Sequence, residues 1–315
     1  MERRKIQLIA GTTYSVSLPK GWVKKNNLKE KSEVEINDEN DGTLSIYPGF
    51  SEKKDLDKMN LLIEDYQDNI DQILFSLYYL GIEEINFMSK KEISAETKAK
   101  IRNVMDYMSG SEIVYEDKTN IKIKVFLDKS KVNINQVFYR IFLLIESSLN
   151  HMQDKRQKTE LRNNEKEIDR LYHLIVKIIS LSLANPKIIK SSGVNNISLI
   201  PSYFLISKRL EHIGDRIYQV SKYIRKNNKS IPINEISKVI ESMLERAIKH
   251  IINYNSNIFK KENEEKKEGV QIKIMKIKDL ILKKNIEEIF RYCIDIQEEA
   301  VNISFYNMLI KEKKI

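Results

Sequence analysis

Acidic residues recur four apart in the second half of this chain. Glu165 and Asp169, Glu211 and Asp215, and Asp295 and Glu299 all share that spacing. In a helix it puts both carboxylates of a pair on one face. Two such helices side by side would bring four carboxylates together, and oxygen ligands of that kind suit hard cations such as Mg²⁺, Mn²⁺ or ferric iron. Crowded like charges repel, and a cation relieves the repulsion. Spacing alone is thin support, because 45 acids in 315 residues produce roughly six such pairs by chance. A solvated helix face is the plain alternative for any single pair. His212 stands one residue off the acid face and reads as a surface or packing residue. Gly214 is more unusual, since glycine inside a helix costs about 1 kcal/mol against alanine. A close approach by a neighbouring helix would account for it.

A second constellation is basic. Arg3, Arg4, Lys5, Lys20, Lys24, Lys25, Lys29 and Lys31 precede residue 32, while Glu33, Glu35, Asp38, Glu39 and Asp41 follow it. In a two-fold dimer this segregation gives one basic and one acidic face. Thr12, Thr13 and Tyr14 beside the basic residues could contact phosphates, the positioning part of DNA binding. With Glu2 and Glu30 included, residues 1–50 hold eight basic and seven acidic side chains. Segregation is therefore the signal, and the local surplus is small. The whole chain carries +9, from 54 basic and 45 acidic residues.

Other chemistry is sparse. With four histidines and the single cysteine Cys293, an intramolecular disulfide and a thiolate zinc site are excluded, and a metal site must rest mainly on carboxylates. Cys293 reads as a small core residue, and Trp22 as a packing anchor. No phosphate-loop, dinucleotide-binding, metalloprotease or nucleophile-elbow motif is present, so no enzyme is expected. No run of about 18 apolar residues exists, which argues against membrane insertion. The start, MERRKIQLIAG, lacks the apolar stretch of a signal peptide. A cytoplasmic location is the expectation.

The elements that must position these groups fall into three parts. Residues 1–50 read as a β-rich domain. Ile6 and Leu8, then Tyr14, Val16 and Leu18, alternate as in half-buried strands. Gly11-Thr12-Thr13 suits a turn, and Pro19 opens a short helix, Lys20 to Asn26. Val34 to Ile36 and Leu44 to Tyr47 are further strands, with Asp41-Gly42 as hairpin turn. So few residues cannot bury a core alone, so a second copy is expected. Residues 51–58 read as a charged linker. Residues 59–129 read as an α+β unit: a helix through Leu62, Tyr66, Ile70, Ile73 and Leu77, then strand, helix and two strands. Residues 132–312 read as all-helical, with helices at 132–158, 162–185, 197–227, 233–262, 268–284 and 286–312. Pro186, Gly193, Pro201 and Pro232 punctuate them. The 260–268 run, KKENEEKKE, reads as an exposed turn between helices.

Two of these parts carry a resemblance. The stretch from Gln7 to Pro48, with Thr13-Tyr14-Ser15-Val16-Ser17-Leu18-Pro19-Lys20 and the closing Asp41-Gly42, resembles the SpoVT/AbrB-type swapped-hairpin domain. Residues 132–312, with Leu210-Glu211-His212-Ile213-Gly214-Asp215-Arg216, resemble the phosphate-uptake regulator family PhoU. Together they resemble the archaeal PhoU-like regulators. The first resemblance implies an intertwined dimer that binds DNA through Arg3, Arg4, Lys5, Thr13, Lys20, Lys24 and Lys25. The second implies two three-helix bundles whose acid motifs hold metal: Mg, Mn, Fe or Zn. It places Glu165, Asp169, Glu211 and Asp215 in the first repeat, with Asp295 and Glu299 as their counterparts in the second. The second repeat departs from the pattern, with Lys276, Lys278 and a single Asp279 where an acid pair is expected and Glu298 in place of Gly214.

The leading expectation is a dimeric DNA-binding regulator of phosphate uptake. One alternative is an adaptor that contacts a phosphate transporter or sensor kinase without binding DNA. Another is a carboxylate-metal enzyme.

Overall fold

The computed structural model describes residues 3–38, 43–48, 58–227, 234–253 and 264–313. They form two compact units, one over Met1–Asp57 and one over Lys58–Lys314. The first holds a small β-hairpin region. The second holds a mixed sheet unit followed by a helical region.

In the first unit, β1 (Gln7–Ile9) and β2 (Thr13–Ser15) form an antiparallel hairpin. Its turn uses left-handed backbone at Ala10 and Gly11. Helix α1 (Lys20–Lys25) starts directly after Pro19, whose fixed φ suits a helix start. Strands β3 (Val34–Asp38) and β4 (Leu44–Pro48) pair antiparallel. The Asp41-Gly42 turn lies outside the described residues, as do residues 51–57. No described residue of this unit is buried, and Ile6, Leu8, Tyr14, Ile36 and Leu44 are all well exposed.

The second unit opens with a strand where the spacing predicts a helix. Lys58–Leu62 is β5, followed by a 3₁₀ turn over Ile63–Asp65 and helix α2 (Ile70–Leu80). Strand β5 pairs in parallel with β6 (Glu84–Met88), a partner about 25 residues away that no local period reveals. Gly81 ends α2 in left-handed conformation. Helix α3 (Ala95–Met105) is capped by Ser94, whose Oγ accepts from Thr97 N–H at 3.1 Å. Strands β7 (Ser111–Glu116) and β8 (Asn120–Val125) complete a sheet of order β5-β6-β8-β7. One sheet face packs under the two helices, with Leu74, Tyr78, Ile85, Phe87, Ile101 and Ile123 in its core.

The helices that follow share one larger core. Helix α4 (Ile134–His151) ends seven residues earlier than its pattern suggests. A 3₁₀ turn over Lys155–Gln157 leads directly into α5 (Lys158–Ala184). Short helix α6 (Pro186–Ser192) was not expected. Helix α7 (Ile200–Lys226) buries Ile206, Leu210, Ile213, Ile217, Val220 and Ile224, which recur at alternating steps of four and three residues and so form one seam. Helix α8 spans Asn234–Asn253, α9 Glu264–Met275 and α10 Leu280–Lys313. The break expected near residue 285 falls instead at residues 276–279. Its cause is Asp279, whose Oδ1 accepts from the amides of Ile281 and Leu282 at 3.1 and 3.2 Å. A side-chain acceptor there starts a helix. Pro232 and residues 260–263 of the charged run lie outside the described residues. Among those residues, no helix is long and apolar enough to cross a membrane.

Candidate functional site

Helices α5 and α7 meet closely at Gly214. A Cβ built there would lie 2.9 Å from Ile168 Cδ1, and Ile168 is itself buried. The next residue on each helix is Asp215 and Asp169 respectively. The missing side chain at 214 therefore draws together two aspartates 46 positions apart in sequence, which answers the oddity of a glycine inside a helix.

Glu165, Asp169 and Asp215 converge there. One carboxylate oxygen from each lies within 4.8 Å of the others. Ligand oxygens sit about 2.0–2.6 Å from a hard cation, so this separation fits a single ion between them. All three are half-buried. Asp169 Oδ1 is sealed from solvent without a hydrogen-bond partner. A sealed carboxylate oxygen with no donor is costly unless a proton or a cation meets it. Burial, then Asp215 and Glu165, push the Asp169 carboxyl up to about 8. Burial and the neighbouring acids also raise Glu165 and Asp215. The group fits a hard cation held by oxygen ligands. Glu165, Asp169 and Asp215 would hold it, and it would supply the positive charge that the cluster lacks.

The remaining acids are placed differently. Glu211 lies on the same side of α7 but pairs with Lys208 Nζ at 2.9 Å and stands 3.5 Å from His212 Nε2. Lys208 also lies over the Tyr172 ring, 4.7 Å from its centroid. Asp295 forms an ion pair with Arg209, its Oδ2 2.7 Å from Nε. About two helical turns away, Arg216 Nε forms an ion pair with Glu288 Oε2 at 2.6 Å. Two arginines of α7 thus face two acids of α10, and Asp295 is spent on one of them. Glu299 meets Asn302 at 3.1 Å. Asp279 caps α10. Among the described residues, no second cluster joins Asp295 or Glu299.

Some participants carried no sequence signal. Tyr107, just after α3 in the sheet unit, has its phenol held up by burial and by the nearby charges of Asp169 and Glu165. Further along α5, His173 stacks on Phe75 at 4.0 Å and hydrogen-bonds the Tyr79 hydroxyl. Burial lowers this imidazole to about 4, so it stays neutral. Lys177 is fully buried, donating to the Tyr78 carbonyl at 2.7 Å. Positions 165, 169, 173 and 177 are successive i,i+4 steps. One ridge of α5 therefore runs from the carboxylates into the sheet unit. Its partners are distant in sequence, which hides them from any local reading. Lys208 was legible in principle, three residues before Glu211.

In the first unit, Arg3, Arg4, Lys5, Thr13, Lys20, Lys24 and Lys25 are all exposed. They occupy the lead into β1, the start of β2 and helix α1. Trp22 is half-buried there, and Cys293 is buried in the helical core.

The chain thus carries a short hairpin segment, a mixed sheet unit and a helical region with an acid cluster. Comparison with known families agrees. Residues 7–54 match the family described as antidote-toxin recognition MazE, bacterial antitoxin, and residues 140–224 match the PhoU domain. Both families are regulatory rather than enzymatic. The matches fall on the two segments whose motifs resemble the swapped-hairpin and phosphate-uptake regulators, in the same order. No curated protein and no solved structure matches the chain.

Proposed function

We propose that this chain is a dimeric DNA-binding regulator of phosphate uptake and homeostasis, whose helical region holds a hard cation at Glu165, Asp169 and Asp215. The observation that carries it is the pairing, in one chain, of a MazE-type segment with a PhoU-type helical segment. Three features support the details. The hairpin unit exposes its apolar side chains, as half of a two-chain core would. Its basic residues are accessible to phosphates. The acid cluster has the spacing and the unpaired oxygen that a cation would use.

The test is mapping of DNA bound by the protein in cells at high and low phosphate, with binding in vitro across a salt series. Arg4→Ala with Lys5→Ala should weaken binding and flatten the salt slope by about 2, one lost counterion per phosphate contact. Unchanged affinity and slope would remove these residues from the interface. A second reading is an adaptor that regulates a phosphate transporter or sensor kinase through contact alone. The near balance of charge in residues 1–50 favours it, and the absence of any salt-dependent DNA shift would decide for it.

A further inference from the structure

Helix α7 carries one more charged side chain beside the acid cluster. Lys208 precedes Glu211 by one turn and Asp215 by two. Its ammonium is held from two sides. On its own helix, Nζ stands 2.9 Å from Glu211 Oε2. Across the contact it lies over the Tyr172 ring, 4.7 Å from the centroid, and Tyr172 follows Asp169 by three residues on α5. The positive charge therefore sits at the edge of the cluster. It acts on Asp169 and Asp215 as well as on Glu211.

Glu211 shares a helix face with Asp215, and its charge acts on Glu165, Asp169 and Asp215. Yet it stands outside the three carboxylates whose oxygens converge. Spacing does not account for that exclusion, and its partner does. Glu211 Oε2 is closed to solvent, with the Lys208 ammonium as the nearby full charge. A carboxylate so placed needs a cation, and removing the partner leaves the charge uncompensated. Side-chain exposure is 34% at Lys208 and 14% at Glu211. The lysine is therefore the member of the pair with access to water, and the glutamate is the member that depends on its partner.

We propose that Lys208 is a tethered counter-ion that withholds Glu211 from the cation and so keeps the site weak. The proposal rests on the cation reading of Glu165, Asp169 and Asp215. Ligand charge tunes the affinity of hard-cation sites over orders of magnitude. Three acids with an ammonium beside them release an ion readily. Four acids without it would hold the ion far more tightly and stay loaded. Lys208 is thus the residue that keeps the site responsive to cation concentration.

The test is calorimetric titration of the full chain with Mn²⁺, for the parent, Lys208→Met, Glu211→Gln and the double variant. Methionine keeps an apolar stem near Tyr172 and removes the charge. The parent should bind one Mn²⁺. Lys208→Met should bind it at least about tenfold tighter, a modest step on the scale by which ligand charge tunes such sites. Glu211→Gln should cost at least about tenfold more affinity in the Lys208→Met background than in the parent, because only there is Glu211 a ligand. Lys208→Arg should behave as the parent does. Should Lys208→Met melt early, Lys208→Gln carries the same comparison with an uncharged amide. Parent-like Mn²⁺ affinity in both neutral variants would overturn the proposal. So would additive effects in the double variant, which would make Lys208 a distant charge only. Either result leaves the cation reading standing. No Mn²⁺ bound by the parent or by any variant would overturn that reading, and this proposal with it.

Discussion

Two titratable groups, the half-buried Asp169 and the buried Lys177, show how environment sets behaviour at the residue scale. Asp169 has its carboxyl raised from 3.8 to about 8. The folded, cation-free chain therefore keeps this proton to higher pH than the unfolded chain. The stability it contributes is present below about 3.8 and is lost as pH rises through 8. Melts of chelated protein should fall across that window, and Asp169→Asn should flatten the curve. Cation affinity should rise over the same window, because the ion must displace the proton. Added Mn²⁺ should raise the melting temperature of the parent chain at pH 8 and leave Asp169→Asn unchanged. Identical melts with and without chelator, and no metal by elemental analysis, would remove the site. Lys177 has the opposite sign. Burial first, then Lys129, lower it from 10.5 to about 7. The unfolded chain binds more protons between those values, so stability rises with pH through that window. Lys177→Met should raise the melting temperature at pH 7 and reduce this slope. The Tyr78 carbonyl keeps the Gly81 amide as partner at 3.2 Å, so the substitution strands no acceptor.

Element packing decides where those residues meet. Gly214→Ala gains helix propensity worth about 1 kcal/mol. It also forces a Cβ against Ile168, which is sealed in the core. Overpacking of this kind costs about 1–3 kcal/mol, so we expect a net loss in denaturant melts. Cation binding should weaken as well, because the helices part beside Asp169 and Asp215. Ile168→Val removes the clashing Cδ1 and should recover part of both losses in the double variant. Additive losses would show that the contact is unimportant. The α7–α10 contact works differently. Arg209 and Arg216 supply built-in positive charge to Asp295 and Glu288. One cation per chain is therefore the expected stoichiometry.

At the scale of the whole molecule, the two units differ in how they are built. The second has two apolar cores of its own. The described part of the first has no buried residue, and short two-stranded ribbons are marginal in water. Deleting residues 1–57 should leave cooperative melting and metal content intact while removing DNA binding. It should also reduce the oligomeric state measured by ultracentrifugation. A truncated chain that still shifts DNA would place the interface elsewhere.

Much of this organisation was legible in the residues alone. The order of hairpin segment, α+β unit and helical region follows from apolar period, which backbone geometry imposes locally. Acid spacing and the odd Gly214 were visible for the same reason. Other features depend on residues far apart in sequence. Strand β5 exists because Lys58–Leu62 finds Glu84–Met88, and a period of four through Leu62 and Tyr66 masked it. The start of α10 depends on which side chain caps it, and Asp279 read there as a lone acid. Six acids looked equivalent by spacing, yet Asp295 meets an arginine, Glu211 a lysine, and only Glu165, Asp169 and Asp215 converge. Spacing along one helix tells which face a carboxylate shares. What stands opposite that face is set by how helices pack, and here a missing side chain at 214 decided it.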